Sequence, residues 1–431
     1  MNNIRTTPPK ILALIIIISV LIRGISAIYV GNEVVELPGT ADQISYHNLA
    51  LRVLGGHGFS FGEQWWPATR ANEPTAHWSY LYTSFLVVVY ALTGSNPVVA
   101  RILQAIIVGI LMPLMMYRLS KRLFNGRSDS EQIGLAAAAI MAVYVYFFYY
   151  AVALMTESFY ILAILWCFDL AFQIVDSEES GWRLWVLLGV ALATAVLLRQ
   201  LFLLFIPFLL LWLWWVKRPQ LVKLALPLVI TILMMLPWTI RNYIAFDAVV
   251  PLNTNSGYAF FWGNHPIYGT KFVPILTADM GTYYDLIPKE LLPLNEAELD
   301  SALLKLGIQF ITDDPGRYVL LSLSRIPPYF IFWPSSDSGM ISNLSRVASF
   351  GLFLPFMLYG LLRTLPEGLT SLKTPFFLLY LFMVVYTGIH VLIWTLIRYR
   401  LPLDAILIMF AGYALVDLVT WFSARRSAAM L

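Results

Sequence analysis

Charge is what this chain has least of. Asp, Glu, Lys and Arg make up only 12% of its 431 residues, against 59% hydrophobic. That is roughly half the charged share of an average soluble domain, too little to clothe a water-soluble globule, and it points to an integral membrane protein. Cysteine is limited to Cys167, set in an apolar run, so no disulfide can close within the chain and the thiol is expected to pack as a small apolar group. The net charge of +3 comes from basic residues scattered over the ends of apolar runs, which gives no footing to nucleic acid. The sequence also lacks a P-loop, a dinucleotide fingerprint, a G-x-S-x-G, internal repeats and low-complexity tracts.

Apolar runs long enough to cross a bilayer lie near 11–29, 97–117, 132–150, 153–174, 183–198, 200–216, 221–238, 346–363, 376–395 and 401–421, which predicts an all-α polytopic protein with about ten transmembrane helices. "MNNIRTTPPK" precedes the first run, which is about 20 residues long and has no small-residue cleavage site; it reads as a retained span. With the N-terminus inside, the inner connections are "YRLSKRLFNGR", "VDSEESGWR", "VKRPQLVK", "LRTLPEGLTSLK" and the tail "ARRSAAML", and all but the second carry a Lys/Arg excess. Two long outer segments remain, 30–96 and 239–345, within a single membrane domain spanning 1–431. Function is expected there. In "TADQISYHNLALRVLGG" Thr40 and Gln43 fit a capping box, Ile44, Leu51 and Leu54 form an apolar stripe, and Gly55-Gly56 stops the helix. "NEAELDSALLKLGIQF" sets Leu299, Leu303, Leu306 and Phe310 on one face. Both read as interfacial helices.

The few charges on the outer side carry the chemistry. Asp42 falls in the first turn of its helix, where the dipole favours a carboxylate. Glu157, in "LMTESFY", is an acid inside an otherwise uncharged run at the outer turn between two spans, and such acids face a cavity or a partner. Glu73 sits in "NEPTAHWSY" with His77 close by. Arg199, Arg241, Arg325, Arg398 and Arg400 stand on the outer side against the topology bias, and an anionic ligand such as a lipid phosphate would compensate for them. Arg23, deep in the first span, is expected to snorkel outward. His47, His57, His77 and His265 have no close ligand spacing, and His390 lies in a span.

The order of these features resembles the GT-C superfamily of polytopic glycosyltransferases, in the branch of protein O-mannosyltransferases and aminoarabinose lipid A transferases. The residues that carry the resemblance are "ADQISYHNLALRVLGGHGFS", "NEPTAHWSYLYTSFL", "LMTESFY", "LLRQLFLLFIPFLLL", "PWTIRNYIAFDAVVPLNTNSGYAFFWGNHP" and "RYRLPLDAILIMFAGYAL". It implies a GT-C bundle and a glycosyltransferase whose donor, a polyprenyl-phosphate-linked sugar, is a substrate, so that no separate cofactor is expected. Asp42 matches the first-loop general base and Glu157 the second acid. Arg398 and Arg400 match the donor-phosphate residues, with Arg199, Arg241 and Arg325 as further candidates. Tyr46, Glu73, His77 and Asn264 are expected to line the donor and acceptor pocket. The first loop has no D-x-D, which implies no catalytic metal. The expected acceptor is a hydroxyl on a lipid, glycan or protein, in an inverting reaction on the extracytoplasmic face of the plasma (inner) membrane. Partners are then the lipid-linked donor, the acceptor and membrane lipids. A polysaccharide polymerase or ligase, or a lipid-linked glycan transporter or flippase, also fits outer arginines. The first would not need an acid right after the first span, and the second more often shows internal repeats.

Overall fold

The computed structural model describes residues 10–336 and 338–428. Residues 1–9, which include most of "MNNIRTTPPK", and the end of the basic tail lie outside the described residues. Among the described residues the chain is helical, and its only β features are two isolated bridges, Ser60 with Pro74 and Trp65 with Thr69.

The first span is α1 (Lys10–Val30). The first long connection carries α2 (Asp42–Leu54) and α3 (Tyr80–Thr93). There follow α4 (Pro97–Leu123), α5 (Ser130–Val143), α6 (Val145–Val152), α7 (Glu157–Asp176), α8 (Trp182–Leu198), α9 (Ile206–Lys217) and α10 (Leu221–Phe246). The second long connection holds α11 (Ser256–Asn264), α12 (Glu296–Asp313), α13 (Pro315–Ser324) and α14 (Ile326–Tyr329). The chain closes with α15 (Met340–Arg346), α16 (Leu352–Thr370), α17 (Pro375–Leu392) and α18 (Leu401–Ala428).

Among the described residues eight helices, some of them composite, are long and apolar enough to cross a bilayer, and the pair α5–α6, bent by 51°, makes a ninth. The 17-residue α8 is a shorter apolar helix. With it, each of the ten predicted apolar runs has a helix among the described residues, and α3 is a further short apolar helix that no predicted run covers. The bend at Tyr144 frees carbonyls at the end of α5, and Arg23 meets them. Its Nη1 donates to Ala142 O at 3.0 Å and its Nη2 to Met141 O at 3.1 Å, while Ser19 Oγ accepts at 2.7 Å. Arg23 therefore does not snorkel. It is fully buried, because donating to a broken helix end satisfies the guanidinium within the protein.

On the face that carries the long connections, Arg101 in the second turn of α4 donates to Gly31 O, Glu33 O and Val152 O at 2.7–3.0 Å, tying together the ends of α1 and α6. The opposite ends of the spans carry Lys121, Arg122, Lys217 and Lys223; Arg122 pairs with Asp176 at 3.2 Å, and Lys217 and Lys223 donate to carbonyls of the short α7–α8 turn.

The α2 helix begins at Asp42, one position later than its spacing suggests, and has no side-chain cap. The Thr40 hydroxyl is taken up by Leu37 N and O, and Gln43 Nε2 donates to Val35 O and Thr40 Oγ1, so the expected capping box is replaced by a turn. The predicted stripe of Leu51 and Leu54 is exposed, while Tyr46, Leu49 and Ala50 face the core. The α12 helix does form a capping box, between Asn295 and Glu298, and buries Leu299 and Leu303 against Tyr258, Phe261 and Trp262 of α11. The contact is close enough that a Cβ at Gly257 would overlap the backbone carbonyl of Asp300.

Candidate active site

Four charged side chains from four separate segments meet beside the start of α2. Asp42 opens α2, and Glu157 opens α7 after the bend 153–156, so both carboxylates sit at helix N-termini, where peptide dipoles favour negative charge. Arg199 is the residue that ends α8, in extended conformation with φ −148°. Arg398 lies in the 3-10 turn Ile397–Arg400 that leads into α18.

Arg398 Nη2 is 2.8 Å from Asp42 Oδ2, and its Nε is 3.8 Å from Glu157 Oε1. Arg199 pairs with the same Glu157 oxygen through Nη2 and donates from Nε to Thr156 Oγ1 at 3.0 Å. Both guanidinium groups lie near the Tyr399 ring, at 5.3 and 5.5 Å from its centroid. Glu157 is 2% exposed and Arg398 12%, whereas Asp42 is 25% exposed. The group is thus open on the Asp42 side and closed on the Glu157 side. Arg398 Nη1 also approaches Gly39 O at 3.3 Å. Gly39 has φ +72°, and a Cβ there would come 2.8 Å from the Tyr150 hydroxyl, so a side chain at this position is disfavoured twice over.

The other candidate residues lie elsewhere. Arg400 is fully buried and bonds to Asp404 Oδ1 at 2.9 Å and Tyr329 O at 2.8 Å. Arg325, also fully buried, donates to the carbonyls of Gly263 and Val391 and to Asn264 Oδ1. Arg241 binds Thr75 O at 2.9 Å and Phe59 O at 3.1 Å, and its guanidinium lies 4.7 Å from the Trp238 ring centroid. Each of these three arginines donates to partners within the protein, although Arg325 Nε and Arg400 Nη2 are buried without one, and none joins the Asp42 group. Glu73 pairs with Arg70 at 3.2 Å on the surface. Asn264 is buried and donates to Phe260 O. Tyr46 is buried beside the group, edge-on to Trp78 and Tyr82, and burial raises its phenol above the ordinary value. His77 is buried with Nδ1 3.0 Å from Thr254 O, and burial holds its imidazole below the ordinary range.

Sequence reasoning missed Glu296, which joins the two long connections. It accepts from Ala76 N at 2.7 Å, from Thr69 Oγ1 at 2.8 Å and from the Thr254 hydroxyl. At the first position of a capped helix it reads as a dipole residue, and nothing in the sequence sets it apart. Asp300, one turn on, accepts from Gly257 N at 2.7 Å at the start of α11, and burial pushes its carboxyl up to about 6. Tyr399 was also missed, although it stands between two of the candidate arginines. Among the described residues no group of three or more His, Cys, Asp or Glu side chains is placed to hold a metal ion.

Over 97% of its length this chain matches the archaeal oligosaccharyltransferase AglB from Archaeoglobus fulgidus in the apo form, with a TM-score of 0.60 at 14% identity. The fold is that of AglB's matching half. AglB in complex with an inhibitory peptide and a dolichol-phosphate gives a TM-score of 0.58 at 14% identity, and ArnT from Cupriavidus metallidurans in the apo state gives 0.51 at 15% identity over 95% of this chain. The chain spans about half the length of AglB, 51–52%, and 61% of ArnT. Residues 79–241 match the family model described as dolichyl-phosphate-mannose-protein mannosyltransferase. This match holds Glu157 and Arg199, while Asp42 and Arg398 lie outside it. A search of curated proteins gives no match.

Proposed function

We propose that this chain transfers a sugar from a polyprenyl-phosphate-linked donor to a hydroxyl of a lipid, glycan or protein acceptor on the extracytoplasmic face of the plasma (inner) membrane. The observation that carries the reading is the meeting of Asp42, Glu157, Arg199 and Arg398 at one partly open point. Such a transfer needs a base for the acceptor's proton and positive charge for the departing phosphate. Asp42, the more exposed acid, takes the proton. Arg398, backed by Arg199, meets the phosphate with planar paired donors. Glu157 acts through these arginines as a positioning residue. Because Glu157 is 2% exposed and Asp42 25%, Asp42 is the one acid of the group open to an acceptor, which fits a single displacement with inversion. The charge that develops on the phosphate is answered by guanidinium groups, so the proposed mechanism needs no metal ion. Mass spectrometry of lipid copurifying with the protein is expected to reveal a polyprenyl monophosphate; bulk phospholipid alone would count against the reading.

Sidedness has its own test. Ser256, exposed at the start of α11, and Ser128, exposed in the turn before α5, lie at opposite ends of the spans. In intact cells Ser256→Cys is expected to react with a membrane-impermeant thiol reagent and Ser128→Cys to stay unlabelled. The reverse pattern would move the site to the cytoplasm.

A further inference from the structure

In this structure the two groups that the reaction needs hold each other. Asp42 Oδ2 is engaged by Arg398 Nη2 at 2.8 Å, so the proton acceptor and the phosphate ligand share one ion pair. On the inner side, Arg398 Nε and Glu157 Oε2 are buried without a hydrogen-bond partner. Two acids and two arginines give the group a net formal charge of zero. A lipid-linked phosphate entering there adds negative charge and can gain a guanidinium only by exchange of partners.

We propose that the Asp42–Arg398 ion pair is a latch opened by the donor: the donor's phosphate takes the place of Asp42 on Arg398, and the released Asp42 is then free to accept the acceptor's proton, so that the donor binds first. This rests on the reading of the site as one for transfer from a lipid phosphate. Phosphate and carboxylate oxygens both match the guanidinium fork, so the exchange replaces one charge-assisted pair by another. Released Asp42 is not stranded, because it stays at the N-terminus of α2, where the helix dipole still favours its charge. It is also the more exposed partner, 25% against 12% for Arg398. Arg398 does not follow it. Glu157, held by Arg199, faces the arginine from the buried side, and Gly39 O approaches its Nη1. Glu157 and Arg199 therefore form the fixed half of the latch and Asp42 the moving half.

The test is a titration of the full-length protein in detergent with undecaprenyl phosphate that carries no sugar, read by intrinsic tryptophan fluorescence. Removing the competing carboxylate with Asp42→Asn is expected to tighten binding about 10-fold, or about 1.4 kcal/mol. Arg398→Gln is expected to weaken it at least 10-fold, and the double variant should bind like Arg398→Gln alone. A role for Asp42 in folding alone would not produce tighter binding. If Asp42→Asn, folded by its melting temperature, binds the carrier no better than the parent while Arg398→Gln loses affinity, the latch is wrong and the lipid-phosphate reading stands. If the parent protein does not bind the carrier at all, that reading falls, and the latch with it.

Discussion

Asp42→Asn should lower the rate of sugar transfer by about 100-fold or more, the usual scale for loss of a general base. Asparagine keeps the size and hydrogen-bonding shape of the side chain and removes only its capacity to take a proton, so the start of α2 should remain as it is. Its packing rests instead on the inward Tyr46, Leu49 and Ala50 and on the Gln43 contacts to Val35 and Thr40. The assay is the initial rate with a polyprenyl-phosphate sugar at saturating donor, with folding followed by thermal melting in detergent. Saturating donor matters, because the variant should hold the carrier more tightly, and at low donor that gain would mask part of the loss. A folded Asn variant that turns over at close to the parent rate would remove Asp42 from the role of base.

The acids of this site were legible because they are rare. An acid just beyond the first span, and another inside a long uncharged run, stand out by cost alone, and the structure sets both at helix N-termini in one group. The arginines were not separable in the same way. All five stand against the topology bias, yet Arg199 and Arg398 meet the acids, Arg241 and Arg325 are spent mainly on backbone carbonyls, and Arg400 is tied to Asp404. Those carbonyls belong to loops and helix ends remote in sequence, such as Thr75 O for Arg241 and Val391 O for Arg325. They become available only through tertiary packing, which local pattern does not encode. Arg23 is the same lesson inside the membrane: the carbonyls that hold it exist because α5 breaks at Tyr144, a break the uniformly apolar run 132–150 does not announce. The spans were legible because the bilayer sets their length, and the short α8 was found because its apolar run is uninterrupted.

Arg400→Met should destabilise the folded protein by about 3–5 kcal/mol, the range for breaking a buried ion pair from one side. Arg400 and Asp404 are both fully buried, one helical turn apart at the start of α18, with 2.9 Å between Nε and Oδ1. Asp404 also accepts from the Tyr144 hydroxyl at 2.7 Å, the Tyr329 carbonyl takes Arg400 Nη1, and the guanidinium lies 3.7 Å from the Phe350 ring centroid. This network joins α18 to the α5–α6 break and to the end of the second long connection. Truncating the arginine leaves a carboxylate with no counter-charge in a dry environment, so the cost lies mostly in the stranded Asp404. The double variant Arg400→Met/Asp404→Leu should then be more stable than the single one. It should not reach the parent, since the Tyr144 hydroxyl and Tyr329 carbonyl lose partners at about 1–3 kcal/mol each. Melting temperatures in detergent for the parent, both single variants and the double decide this. A single Arg400→Met variant that melts like the parent yet no longer binds undecaprenyl phosphate would restore Arg400 to the donor site. Loss of stability that the double variant partly regains places it in the scaffold that carries Arg398, two residues away, to the acids.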